Sequence, residues 1–240
     1  MITVVVPILN EEENIAPLLA EIAQAAQTVP ISEIVYVDDG STDNSLSILQ
    51  SLRAQYPSLR VVRHSKRSGQ SAAIWTGVKS AGNDLIVTLD GDGQNNPTDI
   101  ALLYKAYKDN EKNFSKLMIA GERQKRNDVW IKRISSRLAN RIRSGLLHDN
   151  TRDTGCSLKL YRRKDYLALP YFDHMHRFLP ALMQRDNVRV LHVPVSHRPR
   201  EHGVSKYGTF DRLAVGISDL WGVWWLLKRP FAHPEVMEDY

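Results

Sequence analysis

The chain has 240 residues, 42% of them hydrophobic, and a formal net charge of +5. That is enough apolar material for one large core or two intimate halves, and the charge suits an anionic partner: nucleic acid, a phosphorylated small molecule or a membrane surface. The single cysteine, Cys156, excludes an internal disulfide. The opening MITVVVPILN has no basic leader, so no signal peptide is expected. No apolar run reaches the roughly 18–20 residues of a membrane span.

TVVVPIL (3–9) reads as a buried strand. A helix is predicted from about Asn14 to Gln27, with Pro17 tolerable only in its first turn. EIVYVDD (33–39) is a second strand that ends in two acids, and 45–56 has helical spacing. LRVVRH (59–64) predicts a strand, 70–81 a helix, DLIVTLD (84–90) a strand, 97–108 a helix and KLMIAGE (116–122) a strand. Val/Ile/Leu-rich strands alternating with helices predict a mostly parallel, Rossmann-like α/β sheet flanked by helices. Such sheets bind ligands at the carboxyl ends of their strands, where VDDGS (37–41) and LDGDG (89–93) fall. Neither a dinucleotide fingerprint nor a P-loop is present.

The pattern changes after residue 122. Residues 123–143 hold eight Lys or Arg against one acid, Asp128, and Ile131, Ile134, Leu138 and Ile142 recur at helical spacing. Arg133, Arg137 and Arg141 share another face of this predicted amphipathic helix, suited to phosphate or anionic lipid and otherwise to plain solvation. Strands are expected at 157–162 and 188–196, then a basic loop at 197–208 containing His202. The last apolar helix carries Trp221, Trp224 and Trp225, with Arg212 before it and Lys228 and Arg229 after it. It fits either the headgroup region of a membrane or the chain's own core. His174 and His176 read as polar loop or helix-start residues, and Cys156 as a small buried residue.

LDGDGQNNP (89–97) sets Asp90 and Asp92 two positions apart after a buried strand. A plain Asp/Gly loop is one reading. A calcium loop fails, because Asn95 stands where glycine is needed and Ala101 where glutamate is needed. A glycosidase acid/base pair and a divalent metal that carries a phosphate remain. The pair reading leaves the basic helix without a purpose.

PILNEEENI (7–15), VDDGSTDNS (37–45) and LDGDGQNNP resemble the three ordered signatures of family-2 glycosyltransferases with the GT-A fold. GER (121–123), DTGCSLKLYRR (153–163) and REHGVSKYG (200–208) are similar to the polyprenyl-phosphate sugar transferases. The resemblance implies a GT-A domain over 1–209, with a nucleotide-sugar half (1–122) and an acceptor half (123–209). An amphipathic interfacial helix (210–229) and a flexible tail (230–240) would follow.

It implies that Pro7, Leu9, Glu11, Val37, Asp38, Asp39, Asp90, Gly91 and Asp92 bind the UDP- or GDP-linked sugar. Asp90, Asp92 and Gln94 would hold Mg²⁺ or Mn²⁺. Arg123, Arg200 and Lys206 would serve catalysis at the phosphates. Arg123, Lys132 or Arg133, and Ser136 would meet the acceptor phosphate; Lys132 and Arg133 compete for one role and are not equivalent. The implied enzyme is an inverting transferase at the cytoplasmic face of a membrane, held peripherally or by a membrane-protein partner, with room for a homo-oligomer.

Three rivals stand beside it. A transferase acting on a hydroxyl acceptor needs a carboxylate base, for which Asp153 is the candidate. A nucleic-acid binder is disfavoured by the acidic strand ends, which would repel a phosphate backbone. A silent nucleotide-sugar sensor is the third.

Overall fold

The structure is a computed structural model that describes residues 1–123, 145–147, 149, 151, 153–199 and 209–229. In chain order the elements are β1 (Ile2–Ile8), α1 (Glu12–Ala25), β2 (Ile31–Asp38), α2 (Ser45–Leu52), β3 (Leu59–Arg63), α3 (Gln70–Ser80) and β4 (Leu85–Thr88). A 3₁₀ turn (Pro97–Asp99) leads into α4 (Ile100–Asn110) and β5 (Leu117–Arg123). After these come β6 (Lys159–Arg162), α5 (Arg163–Leu167), a second 3₁₀ turn (Met175–Phe178), α6 (Leu179–Arg185), β7 (Arg189–Val195) and α7 (Thr209–Leu227).

The strands form one seven-stranded sheet in the order β3-β2-β1-β4-β6-β5-β7. β1 is parallel to both β2 and β4, β2 to β3, and β5 to β7. β6 alone runs antiparallel, paired with β4 on one side and β5 on the other. Side chains alternate along β1: Val4, Val6 and Ile8 enter the core under α1, α2 and α4, while Val5 enters the core under α3, α5 and α6. The sheet therefore has apolar cover on both faces, as a mostly parallel sheet requires.

Each strand and helix expected before residue 122 is present, with ends moved by a few residues. One expectation needs correcting. α1 begins at Glu12, so Pro17 lies inside the helix rather than in its first turn. Pro17 is exposed, so the amide hydrogen it lacks is missed on the solvent side of the helix, where water has access. The expected basic helix over 123–143 and the basic loop over 200–208 lie outside the described residues, except Arg123.

The antiparallel strand positions the site. The crossover from β4 through α4 to β5 skips one place in the sheet, and β6 fills it from the other direction. Lys159 thereby pairs with Thr88 and with Ala120, which brings DTGCSLK against the acidic end of β4. The exits of β1, β2, β4, β5 and β7 and the entry to β6 share one edge of the sheet.

Candidate active site

The first two signatures are stitched together at this edge. Asn10, in the left-handed region at φ 51°, donates its amide to the Ser41 hydroxyl (2.9 Å) and accepts from the Thr42 amide (2.8 Å). The Glu11 amide donates to Ser45 Oγ (3.0 Å), and Glu11 Oε2 accepts from Asn14 (2.7 Å). Pro7 pairs in register with Val37, and both are buried. Leu9 and Glu11 follow them and are partly exposed.

Asp38 Oδ1 accepts from the Ser41 amide (2.8 Å), and its buried Oδ2 lies 3.5 Å from Arg63 Nε. Gly40 between them has φ +77°, and a Cβ there would lie 2.8 Å from the Arg67 amide nitrogen, so only glycine fits the turn. Asp39 is 4% exposed. Its Oδ1 bonds with His64 Nδ1 (2.7 Å) and accepts from the Ser68 amide (2.8 Å), while Oδ2 accepts from the Gly69 amide (2.8 Å). His64 in turn bonds with Thr76 Oγ1 (2.9 Å).

The third signature follows β4. Gly91 is obligatory here: a Cβ would lie 2.5 Å from Ile8 Cγ2 and 3.0 Å from the Pro7 carbonyl. Asp90 Oδ1 accepts from Gln70 Nε2 (2.7 Å), and the Asp90 amide donates to Ser157 Oγ (3.0 Å). Ser157 donates to Asn95 Oδ1 (2.6 Å), so the strand that brings Lys159 also braces the acidic loop. Asp92 is 9% exposed, and its Oδ1 accepts from the Gln94 amide (3.1 Å). Burial, and then the neighbouring charge of Asp92, push the Asp90 carboxyl up to about 6.

Cations surround these acids. Arg123, at the exit of β5, grips Asp153 as a fork, with Nε to Oδ2 and Nη2 to Oδ1 both at 2.6 Å, and its amide donates to Oδ2 at 3.2 Å. Lys159 is 4% exposed and donates to the Cys156 carbonyl. Burial holds its ammonium below the usual lysine range. After β7, the Arg198 amide donates to the Gln94 carbonyl (3.0 Å), and Arg198 Nη1 reaches both oxygens of Glu21 (2.9 Å). The start of the basic loop is thus fixed against the acidic turn. Cys156 is buried, and burial pushes its thiol up, in keeping with a packing role.

The structure therefore brings Pro7, Leu9, Glu11, Val37, Asp38, Asp39, Asp90, Gly91, Asp92, Gln94 and Arg123 to one sheet edge. Lys132, Arg133, Ser136, Arg200 and Lys206 lie outside the described residues. Sequence reasoning missed Gln70, His64, Asn95 and Ser157, which position the acids through single side-chain bonds and carry no spacing signal of their own. Among the described residues no three His, Cys, Asp or Glu side chains cluster as a metal site. Asp90, Asp92 and the Gln94 side-chain carbonyl are nonetheless a hard-oxygen donor set, and a divalent cation would offset both the burial and the Asp92 charge that raise Asp90.

Comparisons with known proteins agree with this geometry. The profile of glycosyl transferase family 2 matches residues 3–169. Dodecaprenyl-phosphate galacturonate synthase from Rhizobium johnstonii is 34% identical over 231 residues, covering 95% of this chain and 67% of that protein. Undecaprenyl-phosphate 4-deoxy-4-formamido-L-arabinose transferase from Edwardsiella ictaluri is 36% identical over 210 residues, covering 86% of this chain and 63% of that protein. The chain thus spans about two thirds of the length of these curated relatives.

Among solved structures, glucosyl-3-phosphoglycerate synthase from Mycobacterium tuberculosis in complex with Mn²⁺, UDP and glucosyl-3-phosphoglycerate shares the fold. Its TM-score is 0.69 at 18% identity, covering 95% of this chain and 79% of that one. Three acidic or polar signatures at strand exits, the GT-A architecture and a profile that spans most of the chain converge: the protein belongs to glycosyl transferase family 2.

Proposed function

We propose that this chain transfers a sugar, with inversion, from a nucleotide-sugar to a polyprenyl phosphate at a membrane surface. The observation that carries this reading is the meeting of opposite charges at one edge. Asp90, Asp92 and Gln94 leave β4 beside the strand that brings Lys159, and Arg123 leaves β5 paired to Asp153. The naming of the two curated relatives as transferases onto dodecaprenyl and undecaprenyl phosphate supports the same acceptor class.

Pro7, Leu9, Glu11, Val37, Asp38 and Asp39 form the nucleoside side of the cleft. Asp90, Asp92 and Gln94 would hold Mg²⁺ or Mn²⁺, which supplies Lewis-acid stabilisation of the leaving diphosphate. A phosphate acceptor is already anionic near neutral pH and needs no strong base. It needs cations that place it and offset its repulsion from the donor. Arg123 offers such a fork, oriented by Asp153, and Arg200, Lys206, Ser136 and either Lys132 or Arg133 extend it. A hydroxyl acceptor would instead need Asp153 as base, and both oxygens of Asp153 already accept from Arg123.

α7 supplies the membrane contact in this reading. Trp221 and Trp225, four residues apart, are 60% and 54% exposed, while Val223 packs inward. Lys228 lies 3.8 Å from the Trp224 ring centroid and Arg229 4.8 Å from that of Trp225. Exposed tryptophans with flanking cations suit the headgroup layer of the cytoplasmic face. Among the described residues no helix is long and apolar enough to cross a membrane.

The test is nucleotide release from a panel of UDP- and GDP-sugars, with and without short-chain undecaprenyl phosphate, in Mn²⁺ or in EDTA. Release that requires both lipid phosphate and metal, and is lost in Asp92→Asn, is the expected result. Release stimulated by free sugars or glycans but not by the lipid phosphate would overturn the acceptor assignment.

A further inference from the structure

Between α6, α7 and the helical residues 145–147 the structure holds a cavity of about 400 Å³. That is within the roughly 300–1,000 Å³ of small-molecule sites. Leu146, Ala181, Trp224 and Leu227 give it apolar walls, and Arg185 and Lys228 bring two cations. Among the described residues no Asp or Glu lines it.

The cavity is continuous with the exposed face of α7. Trp224 lines it, and the Trp224 ring meets that of the exposed Trp221 edge-on, at 5.4 Å between centroids. Lys228 lines it as well and is exposed, with its ammonium over Trp224, while the guanidinium of Arg229 lies over Trp225. Arg185 is paired with Asp186 (3.5 Å), so the positive charge open to a guest comes from Lys228 and Arg229. An apolar slot that opens beside tryptophans and cations, with no acid in its wall, is complementary to an amphiphile with a hydrocarbon chain and an anionic head.

Position separates this guest from the acceptor of the reaction. The residue after Arg185, Asp186, accepts through its carbonyl from Lys116 Nζ (3.2 Å), just before the entries to β5 and β7. Leu117 pairs with Arg189 at those entries, and Arg123 leaves the far end of β5. At roughly 3.3 Å per residue, the strand carries Arg123 about 20 Å away. A phosphate held beside Arg185 and Lys228 is thus far from the Arg123 fork.

Resting on the membrane contact proposed above, we propose that this cavity binds an anionic glycerophospholipid of the bilayer. One acyl chain lies between α6 and α7, and the phosphate meets Lys228 and Arg229. The membrane contact then has two parts: tryptophans that enter any headgroup layer, and a site that selects lipids by charge.

Equilibrium binding of monomeric dihexanoyl phosphatidylglycerol and dihexanoyl phosphatidylcholine to the full chain tests this, beside co-sedimentation with long-chain vesicles of each. Phosphatidylglycerol is expected to bind about fivefold or more tighter than phosphatidylcholine, since one basic side chain near an anionic headgroup is worth about that factor. Gly145 lines the cavity, and a Cβ there meets nothing within 4 Å, so Gly145→Trp has room to fill it. That variant should weaken the monomeric lipid by about tenfold or more, as should Leu227→Asp, which sets a carboxylate in the same wall. Lys228→Gln should erase most of the headgroup preference. Trp221→Ala should weaken vesicle binding and leave the monomeric lipid unchanged.

Equal affinity for the two headgroups overturns the charge selection. Wild-type affinity in both Gly145→Trp and Leu227→Asp moves the lipid out of the cavity. Tighter binding of farnesyl phosphate than of phosphatidylglycerol gives the cavity to a prenyl chain instead. Protein that sediments with no vesicle at all sinks the underlying membrane reading, whereas sedimentation without binding of either monomeric lipid sinks this site alone.

Discussion

Asp39 and Asp90 leave the two strands that flank β1, yet their surroundings differ. Three donors converge on Asp39: the His64 ring and the amides of Ser68 and Gly69. Asp90 has Gln70 as its side-chain donor, a like charge two residues away and a carboxyl pushed up to about 6. The first carboxylate is satisfied by the chain and anchors the 64–69 loop. The second is held in a position that costs the fold free energy, the condition under which a ligand finds work to do.

The sharpest way to break this comparison is to neutralise each acid in turn. Asp90→Asn is expected to lower nucleotide release by about a hundred- to a thousandfold, the scale of losing an electrostatic stabiliser of the transition state. The same substitution is expected to raise the melting temperature of the metal-free protein at pH 7.5. Asp39→Asn should do the opposite to the scaffold. It replaces a charged acceptor for three donors and should cost about 2–3 kcal/mol, read as a shift in the urea midpoint. If both variants are destabilised alike, the contrast between the two sites is wrong.

Titration sharpens the same point. The Asp90 pKa in the fold lies above the value of 3.8 that an ordinary aspartate has. Between these two pH values the folded state holds the extra proton, so stability falls as pH rises through the window. Asp90→Asn lacks this loss. Its advantage over the wild type should be absent below about pH 4, grow through pH 6 and then level at about 1–3 kcal/mol. Because both proteins keep His176, its own acid lability cancels from the difference. A pH-independent difference would exclude Asp90 as the strained group.

Two smaller effects test the loop that holds Asp90. Gly91→Ala sets a methyl against Ile8 and should cost about 1–3 kcal/mol by thermal unfolding, with activity falling as the acids shift. Asn95→Ala removes the acceptor of the Ser157 hydroxyl and should cost about 1 kcal/mol, with the change in KM for the nucleotide-sugar larger than the change in stability implies.

The apolar runs of the first 122 residues were enough to place five strands and their helices, and the acids at the exits followed from that placement. Their period and length were unambiguous, and the chain buries them as the period demands. The direction of β6 was not legible. KLYR reads as a short strand whichever way it runs, and only the gap left between β4 and β5 decides. The short helices α5 and α6 were hidden too, since one or two turns show too little periodicity. At the site, Asp90 and Asp92 could be read from their spacing. The roles of Gln70 and His64 could not, because each acts through one long-range bond, 20 and 25 residues from its carboxylate.

The interleaving of β6 also governs how the protein can be cut. All three acidic or polar signatures lie before residue 98, which invites treating the first half as a portable donor-binding module. A fragment ending near residue 123 would keep those signatures but leave the inner edges of β4 and β5 bare, two rows of backbone donors and acceptors with no strand between them. Such a piece would associate with itself rather than fold. Domain swaps between relatives that aim to exchange donor or acceptor preference therefore need their junctions after β6, or must carry β6 along with the half it completes.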